Sequence, residues 1–554
     1  MESDDHDENG NVVEHDVPEN VISRRHLLSG IAVGGATLAA PRFVSRSVLR
    51  HAAAVRRSAV SPLHVVWTNV ALPPNIDPGI GFDSDSLQVI RNVYEGLLEY
   101  APGSTTVRPA LARSYSVSAD GLTYTFQLRK GVVFHDGTQF NAAAAVKSLD
   151  RIKEINQGPA SLISMVKSFE AVGDSTVVLK LSAPYAFLPG VMPWLPIVSP
   201  AALSSHATKS DPWAEKWFAS NAAGTGPYML SSFSPTSSIN LVQNTHYWQP
   251  WKSGTPTSGS LTLNANVTTQ LELLQSGQVD FLGAISPDNA VTAKSLSNVV
   301  LLVQPGLEVQ ILPLNMSRAP MDNPKVRQAM VKAFDYSAFK TFNKGFGGSA
   351  NSPVPPGLPG WDASIPAPAQ DLHGAAQLLH AAGVKPGTTL SFVGVEGLDY
   401  ETFAGTVLQS ALGKLGLKLN AQLPPWPVPQ TMFEKGSAAP HIGFLNLSAN
   451  TNDPSTTIRT SWASSQIASK GGYNWSYYQN PSLDADLAAF GGSTGAKQRA
   501  LITRMQRTIV KDATAIFAFA PQLTEPVAKK WRNSRYDALY DENVIRWFYT
   551  QSAS

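Results

Sequence analysis

The chain has 554 residues, 43 Lys+Arg against 41 Asp+Glu, a formal net charge of +2 and no cysteine. At roughly 100–200 residues per domain it divides into about two to four domains, with ample surface to bury. The near-neutral charge gives no electrostatic ground for a nucleic-acid partner. The lack of cysteine excludes disulfides, thiol catalysis, Cys-ligated zinc, iron–sulfur clusters and a lipid-modified cysteine anchor.

Residues 1–20 hold eight acidic residues and few apolar ones, too little to offset the entropy of ordering, and 1–57 is expected to stand outside the fold. Ser23-Arg24-Arg25-His26-Leu27-Leu28 then leads into an uncharged stretch, 27–40, rich in Gly and Ala. Paired arginines before a short apolar run resemble a twin-arginine export signal, and the run is shorter than the ~18–20 residues that span a bilayer. The expected product is an exported, soluble, periplasmic protein without a lipid anchor.

In chain order, 63–67 reads as a buried strand and 86–100 as a helix, with Leu87, Ile90, Val93, Tyr94, Leu97 and Leu98 on one face. Asp120-Gly121 and Asp136-Gly137 flank alternating runs at 122–128 and 131–135, the signature of a small β-rich module. A helix is predicted over 140–152 and strands over 177–181 and 228–233, the latter after Gly224-Thr225-Gly226-Pro227. Short strands at 261–263, 279–282 and 309–314 alternate with helices at 268–276 and 325–334. Beyond a Pro-rich connector at 353–368, a helix at 372–382 precedes a βαβ order: strand 389–393, helix 400–415, strand 417–423. A helix over 497–512 leads towards the terminal Arg546-Trp547-Phe548-Tyr549. The composition is α/β, in more than one lobe.

Several of these segments resemble the family 5 extracytoplasmic solute-binding proteins of ABC importers, the dipeptide, oligopeptide and nickel-binding type. The matching residues are Ile76-Asp77-Pro78, Asn92-Val93-Tyr94-Glu95-Gly96-Leu97, Pro109-Ala110-Leu111-Ala112, 120–126, Leu128-Arg129-Lys130-Gly131-Val132 and Phe134-His135-Asp136-Gly137-Thr138. Gly224-Thr225-Gly226-Pro227-Tyr228, Asn244, Tyr247-Trp248, 324–329 and 478–484 continue the run in order. Singly each motif is weak; their joint order is specific. The resemblance implies a two-lobed periplasmic-binding-protein fold of the cluster C type with an additional inserted domain. Lobe I would be 61–107, 225–312 and 523–554, the inserted domain 108–224, and lobe II 313–522. It also implies a monomer without cofactor that captures a peptide or other small polar solute and delivers it to membrane permease subunits. A ligand sensor of the same fold and an exported hydrolase are the alternatives.

Peptide-binding relatives hold the ligand's α-ammonium with an Asp three positions before an acidic-Pro pair. Here that pair is Asp453-Pro454, and the position holds Asn450. Leaving a buried ammonium without its carboxylate costs on the order of 3–5 kcal/mol, which favours a neutral or anionic ligand unless Asp453 or Asp83 substitutes. By the same resemblance Phe82 and Asp83 follow a turn brought to the cleft, Trp426 supplies an aromatic wall, and Asn446 opens the segment that holds Asn450. No Gly-x-Ser-x-Gly elbow, phosphate loop or His-Glu-x-x-His helix is present, so no catalytic residue is assigned. His373 and His380 are two helical turns apart, ~10 Å, and cannot share a metal by themselves.

Overall fold

The computed structural model describes residues 64–283, 285–532 and 549–550. The export signal and Arg546-Trp547-Phe548 lie outside the described residues.

The long Asp-Gly turns build a separate four-stranded sheet in the order Ala112–Val117, Thr123–Leu128, Thr176–Leu181, Val166–Val172. Gly121 takes φ +71°, which only glycine adopts without strain, and Asp120 accepts the Leu122 amide at 3.0 Å to close the turn. Alternation along the second strand puts Tyr124, Phe126 and Leu128 inward. They meet Leu149 and Ile152 of helix Ala142–Ile155, which starts where Asn141 caps the Ala144 amide.

The main sheet has ten strands. Its path runs Leu445–Ser448, Glu308–Pro313, Ala515–Ala528, Phe281–Leu282, His64–Asn69, Ser258–Leu263, Ser238–Gln243, Tyr228–Ser234. Ala515–Ala528 is a single 14-residue strand. Its first half pairs antiparallel with Glu308–Pro313 and its second half with Val299–Pro305. One sheet therefore passes from one lobe into the other. Strands Thr389–Val393 and Lys418–Gln422 pair in parallel around helix Asp399–Lys414, as the βαβ order predicts.

The helix expected over 86–100 is shorter. It spans Ser84–Val93, and Tyr94 is already extended at φ −120°. The cause is Gly96: a Cβ there would stand 2.3 Å from the Met192 carbonyl oxygen, so the backbone lies flat against that turn. Leu98–Tyr100 pairs with Val107–Pro109 instead.

The sequence motifs are clamps between these parts. Asp77 receives Arg151 through two parallel hydrogen bonds, 2.7 and 2.5 Å, with both side chains at most 1% exposed. Arg151 also donates to the Trp213 carbonyl at 2.8 Å, so helix Ala142–Ile155 is bolted to the Asp77-Pro78 turn. Glu95 accepts from Thr225, Tyr247 and Trp248 at 2.9, 2.8 and 3.0 Å. Removing one partner of a buried pair strands the other charge. Asp77→Asn is expected to lower unfolding stability by about 3–5 kcal/mol in urea titration. The double substitution Asp77→Leu with Arg151→Met should recover part of that loss; a single variant as stable as wild type would contradict the clamp.

Candidate functional site

In parallel α/β sheets ligands meet the loops at the carboxyl ends of the strands. Thr389–Val393 and Lys418–Gln422 end at one edge, and the parallel bridge of Phe392 to Ile442 brings the end of Leu445–Ser448 to that edge too. The loops 394–398, 423–427 and 449–454 gather there.

Loop 449–454 reaches segments far away in the sequence. Asn452 donates from its side chain to the Thr105 carbonyl at 3.3 Å and from its backbone to the Tyr100 hydroxyl at 3.2 Å. The Tyr100 hydroxyl in turn donates to the Gly190 carbonyl at 2.6 Å. Asp453 is 2% exposed and accepts from Tyr185 at 2.9 Å, from the Ser455 amide at 2.8 Å and from the Ser455 hydroxyl at 2.7 Å. Burial raises the pKa of its carboxyl against these hydrogen bonds. Phe187 stacks on Phe490, centroids 5.4 Å apart, beside the same contact.

Asp83 caps helix Ser84–Val93: its two carboxylate oxygens accept the Ser86 amide at 2.9 Å and the Ser86 hydroxyl at 2.7 Å. Phe82 is half-buried and packs edge-to-face on Trp194 at 5.2 Å. Trp426 is half-buried against the main apolar cluster. Asn446 donates to the Tyr400 hydroxyl at 2.7 Å, and its own Oδ1 is buried without a partner. Asn450 is half-exposed in the bend after its strand. Asn446, Asn450 and Trp426 thus lie along the carboxyl edge of these strands, and Phe82 and Asp83 stand at the start of helix Ser84–Val93. Neither carboxylate considered as a stand-in for position 450 is free of structural duty, since Asp83 caps a helix and Asp453 ties Tyr185 to helix Ser455–Trp462.

Two residues absent from the sequence reading lie at the same edge. Glu308 and Gln310 are 3% and 5% exposed on the strand that pairs with Leu445–Ser448. A charged or amide side chain in an otherwise apolar strand, Glu308-Val309-Gln310-Ile311-Leu312, is the signal that marks them. Among the described residues no three His, Asp or Glu side chains are grouped to hold a metal ion.

Glu401 is 1% exposed at the start of helix Asp399–Lys414 and accepts the Val395 amide at 2.7 Å, which fixes loop 394–398. Burial pushes its carboxyl up to about 8, although the Val395 amide works the other way. Its unfolded value is near 4.5. The folded state therefore binds more protons between those values, and stability falls as pH rises from 4.5 towards about 8. Glu401→Gln keeps an acceptor for Val395 without needing a proton. Thermal melts across that range should show a smaller decline with pH than wild type; an unchanged slope would contradict the assignment.

Residues 106–469 match the family described as bacterial extracellular solute-binding proteins, family 5 middle. The chain is 30% identical over 477 residues to the glutathione-binding protein GsiB of Pectobacterium atrosepticum, covering 82% of this chain and 88% of that one. It is also 30% identical over 511 residues to heme-binding protein A of Haemophilus influenzae, covering 85% and 90%. Among solved structures, HbpA2 from Haemophilus parasuis superposes with a TM-score of 0.80 at 22% identity, covering 88% of this chain and 100% of that one. A Helicobacter pylori periplasmic binding protein, DppA, in complex with the peptide STSA superposes at 0.71 with 23% identity, covering 88% and 98%. The fold is that of the periplasmic binding proteins, and the chain belongs to the family 5 solute-binding proteins.

Proposed function

We propose that the chain captures a peptide or another small polar solute between its two lobes and presents the closed form to the permease subunits of an ABC importer. The lobes in this reading are 61–107 with 225–312 and 523–554, and 313–522, with 108–224 inserted in the first. The observation that carries it is the reach of loop 449–454. Leaving the carboxyl edge of one lobe, it bonds to Thr105, Tyr100 and Tyr185 across the gap. A solute seated at that edge is covered when these contacts form, and its binding free energy is what favours the closed form.

The names of similar proteins support a small solute without fixing one: glutathione for GsiB, heme for heme-binding protein A, a peptide for DppA. The paired arginines Arg24-Arg25 support export by a twin-arginine route. No helix among the described residues is long and apolar enough to cross a membrane. The reading is of a monomeric carrier with no catalytic residue and no cofactor.

Thermal melting of the mature protein against peptides, glutathione, heme, sugars and organic acids tests this. One class should raise stability in a concentration-dependent way, by about 2.7 kcal/mol at a hundredfold excess over Kd. No shift with any class would overturn the reading.

A further inference from the structure

The chain leaving strand Thr176–Leu181 is anchored to its own sheet before it meets anything distant. Tyr124 donates to the Tyr185 carbonyl at 2.8 Å. Pro184 sits on the Gly121 turn, where an added Cβ would stand 3.1 Å from Pro184 Cβ. From that base, 184–190 meets a segment 268 residues further along. The Tyr185 hydroxyl donates to Asp453 at 2.9 Å, and the Ala186 amide donates to the Gly491 carbonyl at 2.7 Å. The Phe187 ring lies on Phe490 at an interplanar angle of 18°. Gly190 lies flat against Asn452, since a Cβ there would stand 2.0 Å from the Asn452 Oδ1.

Every one of these bonds runs from protein to protein, so none of them waits for a solute. One side-chain hydrogen bond, one backbone hydrogen bond and one aromatic stack are together a modest contact. It also carries a cost. Asn452 Oδ1 is buried here without a partner, an acceptor that water would answer once the loops parted. A small contact with an opposing term inside it is suited to breaking and reforming. On the carrier reading, 108–224 travels with the first lobe and 313–522 is the second, so these bonds form only when the lobes close.

We propose that 184–190, with its partners at 452–453 and 490–491, is a latch that keeps a share of the solute-free molecules closed. The inference rests on the carrier reading and adds how its site is regulated. Apparent affinity scales with the fraction of molecules already in the binding-competent form. Residues of the latch therefore tune the affinity for every solute alike without touching any of them. Removing the Tyr185 hydroxyl weakens only the closed form, because the bond to Asp453 exists only there.

The test is a distance measurement on the mature protein without solute. The chain has no cysteine, so a single pair of spin labels can be placed without background. Lys167→Cys and Lys497→Cys, both at exposed positions, put labels on strand Val166–Val172 and helix Gly495–Lys511. Pulsed dipolar spectroscopy should give two populations, one at the label separation of the closed structure. Tyr185→Phe combined with Phe187→Ala should lower the ratio of the closed to the other population about tenfold. Gly190→Ala removes no bond and wedges the loops apart at Asn452 and Tyr100, so it should shift the ratio the same way even if the double variant fails to fold. One distance shared by wild type and all folded variants would overturn the latch. So would a solute-free wild type found only away from the closed separation. Both results leave the carrier role standing. Populations that follow the variants, in a protein that no solute stabilises, would support the latch and overturn the carrier role.

Discussion

The structure depends on one strand. Ala515–Ala528 gives its first half to the sheet of one lobe and its second half to the sheet of the other, alongside the chain that crosses in the opposite direction. Beneath it a single apolar cluster runs from Val65, Trp67 and Phe281 through Val309 and Ile311 to Trp462 and Trp475. The two crossing segments lie close together at Gly306, where a Cβ would stand 2.2 Å from the Pro521 carbonyl oxygen. Pairing is offset on the two sides of that contact: Pro305 faces Gln522, while Gln310 faces Phe519. The register of the crossing strands shifts between Gln310 and Ile311.

Away from this link two carboxylates tie distant segments together, one in a buried ion pair and one on neutral hydrogen-bond donors. Asp77 with Arg151, and Glu95 with Thr225, Tyr247 and Trp248, join segments far apart in sequence. Their bidentate or multiply bonded geometry makes burial of the charge tolerable. Some buried polar atoms lack a protein partner, at the carboxyl edge and elsewhere. Gln310 Oε1 and Asn446 Oδ1 are buried but unsatisfied, and Glu401 is buried with one backbone donor.

Much of this was legible in the sequence because turns and faces are local. The Asp120-Gly121 turn and the βαβ order at 389–423 follow from residue type and period, and the structure forms them. Helix 86–100 was overextended because its apolar spacing continues past Val93, while the close approach of Gly96 to Met192 is a tertiary fact. The crossing strand gave no signal. Ala515-Ile516-Phe517-Ala518-Phe519-Ala520 is buried on both faces and shows no alternation, and Pro521 and Pro526 read as breakers. Glu308 and Gln310 escaped for the same reason, since their meaning depends on which strand lies opposite. Phe82, Asp83, Trp426, Asn446 and Asn450 came from family likeness, and the structure shows what the first four touch.

The central claim is that this molecule carries a small solute in a closed cleft. Native mass spectrometry of the mature protein purified from its own host, before and after mild unfolding, addresses it most directly. The account predicts a non-covalent adduct of a small molecule that is lost on unfolding. Identical masses before and after unfolding, from cells grown in rich medium, would contradict it.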